Sequence, residues 1–310
     1  MSDNVEFGIM LTPFGPYASP GVFEELATTA EREGFDVVWT GDHVAFPDEI
    51  PDEYPFTPSG KAPPAQGIDR DAYDTFNVLS YLAGQVEDVR LGTNVCVVPY
   101  RHPVVLAKQA LTVEGLTGGR FEFGVAPGWL RTEFDVLGVP FEERGSRTDE
   151  FLDIFERACE EREFAFEGPH HSFPTTGFYP TPAEGRPPIW MGGFSGASFR
   201  RTAQYADGWS IYGARPDTVA EGRERLMPAW DDFDRSGEPR VAAGRSIHVG
   251  TDTDLDPERP LIGDADGVIS DVQAYIDAGT THVFVDFFTL DPEERREQIE
   301  RFGRQVIPSF

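Results

Sequence analysis

The sequence predicts one α/β domain, a single (β/α)8 TIM barrel with insertion segments spanning residues 1–310. Two observations carry this prediction. Short β-rich runs alternate strictly with longer helical patterns, eight of each, and no shift in composition marks a linker between domains. Alternation of that kind implies parallel strands joined by right-handed crossovers. Eight such units in about 250–300 residues is the count of a TIM barrel, whereas a doubly wound open sheet more usually has six strands or fewer.

The elements follow in order. Val5 to Leu11 reads as the first strand, and Gly21 to Glu33 as a helix with Phe23, Leu26, Ala27 and Ala30 on one face and Gly34 ending it. Asp36 to Thr40 is the second strand. Ala45 to Ile68 is proline-rich and aperiodic, a long loop over one end of the fold. A helix is predicted over 72–86, the third strand over 89–98, a helix over 104–116 closed by Gly118-Gly119, and the fourth strand over 120–125. A helix over 146–163 leads into an irregular connection over 164–182, then the fifth strand over 188–191 and a helix over 195–205. The sixth strand (207–212), a helix (216–233) and a seventh strand (241–249), interrupted by Gly244, come next. The helix 268–278, the eighth strand 282–287 and the helix 292–306 end the chain.

Composition excludes several function classes. Asp and Glu number 54 against 26 Lys and Arg, a formal charge of −28, and only Lys61 and Lys108 are lysine. Nucleic acid and anionic membranes require a broad cationic surface, so neither is an expected partner. Hydrophobic residues at 39% and 25 phenylalanines supply a core, so the acidity belongs to the solvated shell of a folded protein. An acid-rich, lysine-poor shell suits a halophilic cell, where molar salt shortens the Debye length to about 3 Å. Cys96 and Cys159 make no disulfide framework, MSDNVEFGIM has no signal-peptide pattern, and no apolar run approaches the ~20 residues of a spanning helix. A cytoplasmic protein is expected.

In such a barrel the chemistry sits at the carboxyl ends of the strands. Asp42-His43, after the second strand, is a candidate acid/base pair, or a hydrogen-bonded loop dipeptide. Gly192-Gly193-Phe194-Ser195-Gly196, between a strand and a helix, reads either as a phosphate cradle or as a tight turn with Ser195 as N-cap. HxH and HExxH patterns are missing, the adjacent His170-His171 lies in a connection, and His282 opens the eighth strand remote from the site, so no metal site is assigned. There is no GxSxG and no GxGxxG. Phe14, Tyr17, Phe46, Trp129, Phe178, Tyr179 and Tyr212 fall near strand ends or in the connections above them, suggesting an apolar pocket for a planar ligand. Phe14, Phe46 and Tyr212 are taken as substrate-binding.

Several stretches together resemble the bacterial luciferase-like superfamily: Gly34-Phe35-Asp36 through Gly41-Asp42-His43-Val44, Arg90-Leu91-Gly92-Thr93-Asn94-Val95, Pro99 to Pro103, Gly118-Gly119-Arg120-Phe121, Gly124 to Trp129, Pro187 to Gly193, and Ala206-Asp207-Gly208-Trp209. The resemblance covers roughly two thirds of the chain in the right order, and it implies a TIM barrel. It also implies a cofactor, either reduced FMN with oxygen or the deazaflavin coenzyme F420. By that resemblance Asn94-Val95 matches a non-prolyl cis peptide backing the flavin ring, with Thr93 beside it. Gly192, Gly193, Phe194 and Ser195 match the segment lining the cofactor's phosphate-bearing tail, and Gly128, Trp129 and Thr132 the stretch covering the cofactor. His43 matches the active-site histidine of deazaflavin enzymes, with Asp42 next to it.

Two departures narrow the reading. Pro127 stands where bacterial luciferase has the arginine for the FMN phosphate, and Phe14 and Trp129 stand where the sugar-phosphate dehydrogenase branch has glutamates. The resemblance thus implies an F420-dependent oxidoreductase acting on an apolar or aromatic small molecule. An FMN-dependent monooxygenase and a non-catalytic, flavin-binding or cofactor-free barrel are the alternatives, and a homodimer is one open assembly state.

Overall fold

The computed structural model describes residues 5–48, 50, 69–182, 185–233, 235–251, 261–287 and 289–310. Its barrel strands are β1 (Glu6–Met10), β2 (Val37–Thr40), β3 (Arg90–Val97), β4 (Phe121–Ala126), β7 (Ile189–Gly192), β8 (Gly208–Tyr212), β9 (Arg240–Val249) and β11 (His282–Phe287). Each pairs in parallel with its neighbours, and β11 returns to β1, so the sheet closes. A short β10 (Leu261–Gly263) adds to β9. The helices α1 (Pro20–Arg32), α2 (Thr75–Leu82), α3 (Pro103–Thr117), α5 (Arg144–Glu160), α6 (Gly196–Tyr205), α7 (Pro216–Asp232), α8 (Ala265–Asp277) and α9 (Pro292–Gln305) cover the outside, and α4 (Arg131–Leu137) follows β4. Among the described residues no helix is long and apolar enough to cross a membrane.

Local chemistry sets the helix ends. Pro20, Pro103, Pro216 and Pro292 occupy first helical positions, where the missing N–H costs nothing. Asp74, Ser195, Asp264 and Asp291 cap α2, α6, α8 and α9 with side-chain oxygens. The barrel interior is filled by large rings against small neighbours. Trp39, Trp190 and Phe284 pack with Val37 and Ala242, flanked by Met10 and Tyr212. Gly244 leaves β9 unbroken, contrary to the expected interruption, and it makes room for Phe284: a Cβ there would lie 2.0 Å from the ring. Burying each such ring contributes about 2–3 kcal/mol by area removed from water.

Three expectations change. The helix predicted from residue 72 starts at Thr75, because Ala72 bridges Phe14 and the Tyr73 N–H donates to the Pro13 carbonyl. The connection over 164–182 is not irregular. It contains an antiparallel hairpin, β5 (Glu163–Glu167) and β6 (Ser172–Gly177), with Phe164, Phe173 and Phe178 packed together. Phe178 and the exposed Tyr179 therefore belong to this hairpin and not to a pocket over the barrel. The proline-rich loop predicted over 45–68 lies mostly outside the described residues.

Candidate active site

The strand ends converge at one mouth, and His43 stands there three residues beyond β2. Its Nδ1 lies 2.8 Å from Glu133 Oε2, a fully buried carboxylate in the first turn of α4. Glu133 also receives the Tyr100 hydroxyl at 2.8 Å and the Val44 and Ala45 N–H groups at 2.6 and 3.0 Å. Burial alone would raise its pKa, but the hydrogen bonds and charge from His43 and the two backbone donors outweigh that and hold it below the ordinary carboxylate value. The Tyr100 phenol is pushed upward by its own burial and by Glu133, so it remains a donor. An ionised carboxylate only accepts, so His43 donates from Nδ1, and the proton on that nitrogen is fixed by Glu133. Phe14 and Phe46 wall the imidazole, with ring centroids 5.3 and 4.6 Å from it.

Asp42, expected as the catalytic companion of His43, is spent elsewhere. Both its oxygens receive the Arg101 guanidinium, at 2.6 and 2.8 Å, and one also receives the Val97 N–H. Arg101 reaches on to Asp74, the cap of α2. This buried pair ties the β2 loop to the end of β3 and so holds His43 in place. The group that meets the imidazole is Glu133, which sequence reasoning missed. The available signal was a carboxylate between Leu130 and Phe134, on the buried face of a short helix.

A second cluster forms across the mouth. Asn94-Val95 is cis, and Asn94 Oδ1 accepts from Ser210 Oγ at 3.0 Å, while Asn94 Nδ2 is buried and meets no acceptor among the described residues. Thr93 is fully buried with its hydroxyl on the Gly124 carbonyl at 2.6 Å, so it supports this segment from behind and does not line it. Gly124 is required there, since a Cβ would lie 1.9 Å from the Thr93 carbonyl oxygen. A Cβ on Gly192 would fall 3.1 Å from Val95, which brings the two segments side by side.

Ser195 caps α6, its Oγ accepting from the Ser198 N–H at 3.1 Å, so the tight-turn reading of this segment holds. Gly193 adopts φ +113°, where any Cβ would also strike Ser198 Oγ at 2.5 Å. Gly193 and Ser195 are nonetheless exposed, so this turn leaves the start of α6 open to solvent. Phe194 turns away onto Phe199 and Trp209. Gly128 (φ +87°), Trp129 and Thr132 are half-buried between β4 and the first turn of α4. Tyr212, at the end of β8, stacks on Phe284 and bonds Ser246 at 2.8 Å. His282, at the other end of the barrel, pairs with Glu6 at 2.8 Å as a structural residue.

Comparison with known proteins fits this geometry. The family described as luciferase-like monooxygenase matches residues 5–259. An uncharacterized protein of Mycobacterium tuberculosis (strain ATCC 25618 / H37Rv) is 30% identical over 295 residues, 91% of this chain and 93% of its own. Among solved structures, coenzyme F420 dependent tetrahydromethanopterin reductase from Methanopyrus kandleri superposes with a TM-score of 0.79 at 20% identity, covering 99% of both chains. The oxygenating constituent of 3,6-diketocamphane monooxygenase from Pseudomonas putida, in complex with FMN, gives 0.76 at 13% identity, again over 99% of both. These two likenesses establish the shared barrel. The chain belongs to the luciferase-like monooxygenase family, whose members are oxidoreductases and monooxygenases.

Proposed function

We propose that this chain is a coenzyme F420-dependent oxidoreductase acting on a small, largely apolar molecule. The observation that carries the proposal is the His43–Glu133 pair set against an aromatic wall at the barrel mouth. The residues across the mouth fit a planar heterocycle. Asn94 Nδ2 is a buried donor for a ring oxygen or nitrogen, the Asn94-Val95 backbone would lie behind the ring, and the exposed start of α6 at Gly193 and Ser195 suits a phosphodiester. Pro127, where the luciferase arginine for the FMN phosphate would stand, favours the deazaflavin. When bound, coenzyme F420 supplies or accepts a hydride.

The chain's own residues do the rest. Glu133 holds the Nδ1 proton of His43, and Nε2 is the atom that takes or delivers the proton accompanying the substrate's redox change. Phe14 and Phe46 shield that proton from water and hold the substrate near it. Asp42 and Arg101 are positioning residues for the His43 loop. The acidic shell is read as an adaptation to molar salt.

The test is a pair of titrations in molar salt, with coenzyme F420 and with FMN, following quenching of intrinsic tryptophan fluorescence. Micromolar binding of F420 is expected. Micromolar binding of FMN alone would overturn the proposal in favour of a flavin monooxygenase, and binding of neither would favour a non-catalytic barrel.

A further inference from the structure

Glu133 uses its two oxygens differently. Oε1 receives backbone donors, the Val44 N–H at 2.6 Å and the Ala45 N–H at 3.0 Å. Oε2 receives two side chains at once, the His43 ring at Nδ1 and the Tyr100 hydroxyl, each at 2.8 Å. The first oxygen therefore fixes the loop that carries His43, and the second is shared between an imidazole and a phenol. Tyr100 stands three residues past β3 and, like Glu133, is buried, so water does not compete for that oxygen. Packing holds the phenol there. Its ring meets Phe134 at 4.9 Å, and Phe134 meets Phe141 at 5.1 Å. With Val97 these residues form a small apolar cluster of their own, which docks α4 on the end of β3.

A shared oxygen couples its two donors. A carboxylate beside an imidazole favours the charged ring, so Glu133 by itself would draw a further proton onto His43. A second donor on the same oxygen spreads the negative charge and weakens that pull. The hydroxyl hydrogen is also the positive end of a dipole beside the ring, and it opposes a positive charge there. Tyr100 thus works against Glu133. The other charges nearby answer one another: Asp42 holds Arg101 at 2.6 and 2.8 Å, and Arg101 reaches Asp74 at 3.0 Å. Burial and Asp42 push the Cys96 thiol beside them upward, so it stays neutral. Phe14 and Phe46 complete the wall without charge. The Tyr100 hydroxyl is the contact of the pair that can be removed with no change of net charge and almost none of volume.

We infer that Tyr100 is a positioning residue whose hydroxyl, by sharing Glu133 Oε2 with His43, lowers the pH at which the imidazole takes up its second proton. The inference rests on the proton-transfer role proposed for His43 and adds the group that tunes it. The test is an NMR titration of the full chain without cofactor, following the Cε1–H signals of the six histidines, with that of His43 assigned from its loss in His43→Ala. In Tyr100→Phe the His43 midpoint is expected to rise by about 0.5–1 pH unit, while those of the other five histidines do not move. In a Glu133→Gln background the same change should leave His43 still, because the shared charge is gone. 3-Fluorotyrosine at position 100, a more acidic phenol and a stronger donor, should lower the midpoint, and it serves if Tyr100→Phe does not fold. A His43 midpoint that stays or falls in Tyr100→Phe overturns the inference. So does a shift shared by all six histidines, one that survives in the Glu133→Gln background, or a rise with the fluorinated side chain. The two readings fail separately. A coupled midpoint with unaltered turnover in His43→Ala removes only the catalytic role of His43, and a catalytic His43 with an unmoved midpoint removes only the part given to Tyr100.

Discussion

At the closed end of the barrel His282 pairs with Glu6, and at the mouth His43 pairs with Glu133. The residue types are the same and the surroundings are not. Around Glu6 and His282, Arg90 bridges to Glu6 and, at 3.0 Å, to Glu122, Trp190 donates to Glu122, and the Trp190 ring lies against His282. Cations, carboxylates and ring donors face one another there, and both His282 nitrogens face protein, Nε2 at 2.8 Å from Glu6 Oε2 and Nδ1 at 2.8 Å from the Thr281 hydroxyl. At the mouth Tyr100 and the Val44 and Ala45 N–H groups hold Glu133 against one imidazole, whose Nε2 has no partner among the described residues. A His–Glu pair becomes structural when both rings of contacts close around it and becomes a candidate for proton transfer when one nitrogen is left over.

Four experiments sharpen that contrast. The largest effect is expected at the closed end. Arg90→Met would leave Glu122, already pushed toward the neutral form by its burial, without its cation, at a cost of about 3–5 kcal/mol in unfolding free energy. Urea melts should show that loss while turnover per folded molecule stays the same; a midpoint that hardly moves would mean the charges there are not coupled. At the mouth the pattern should invert. His43→Ala should lower turnover by ~10²-fold or more, with the melting temperature and cofactor affinity nearly unchanged. Unaltered steady-state turnover would remove His43 from the mechanism.

Glu133→Gln comes next. It keeps the volume but no longer demands the Nδ1 proton, and it should lower kcat by about 10-fold with KM little changed. Glu133→Asp should restore part of the loss, and a variant that raised KM alone would assign Glu133 to binding. The smallest effect is a pH dependence. Burial opposes ionisation of Glu6, but hydrogen bonds and charge from His282 and Arg90 prevail and lower its pKa from 4.5 to about 2. A carboxylate lowered on folding stabilises the native state above its unfolded pKa and loses that contribution as pH falls through the folded value. Stability should therefore decline between pH 4.5 and about 2, and Glu6→Gln should flatten that slope. An identical acid slope in the variant would assign the decline to other carboxylates.

Much of this was legible in the linear chain. Buried parallel strands are continuous apolar runs, so VVWT, FEFGV and IWM announced themselves, and proline, aspartate and serine at helix starts carry their own chemistry. The β5–β6 hairpin escaped because its alternating phenylalanines sit among prolines and histidines that read as loop. His43 was legible because its place after β2 follows from strand counting. Its partner was not, since Glu133 is 90 residues away and, beyond its place between Leu130 and Phe134, nothing local sets it apart among 54 acidic side chains.

Periodicity, caps and apolar runs act over a few residues, and those alone determined the barrel, its order of elements and the end at which chemistry would lie. Which carboxylate meets which base is decided by closure of the sheet, which brings side chains remote in sequence within hydrogen-bond distance. That is why Asp42, adjacent in sequence, serves Arg101, and Glu133, remote in sequence, serves His43.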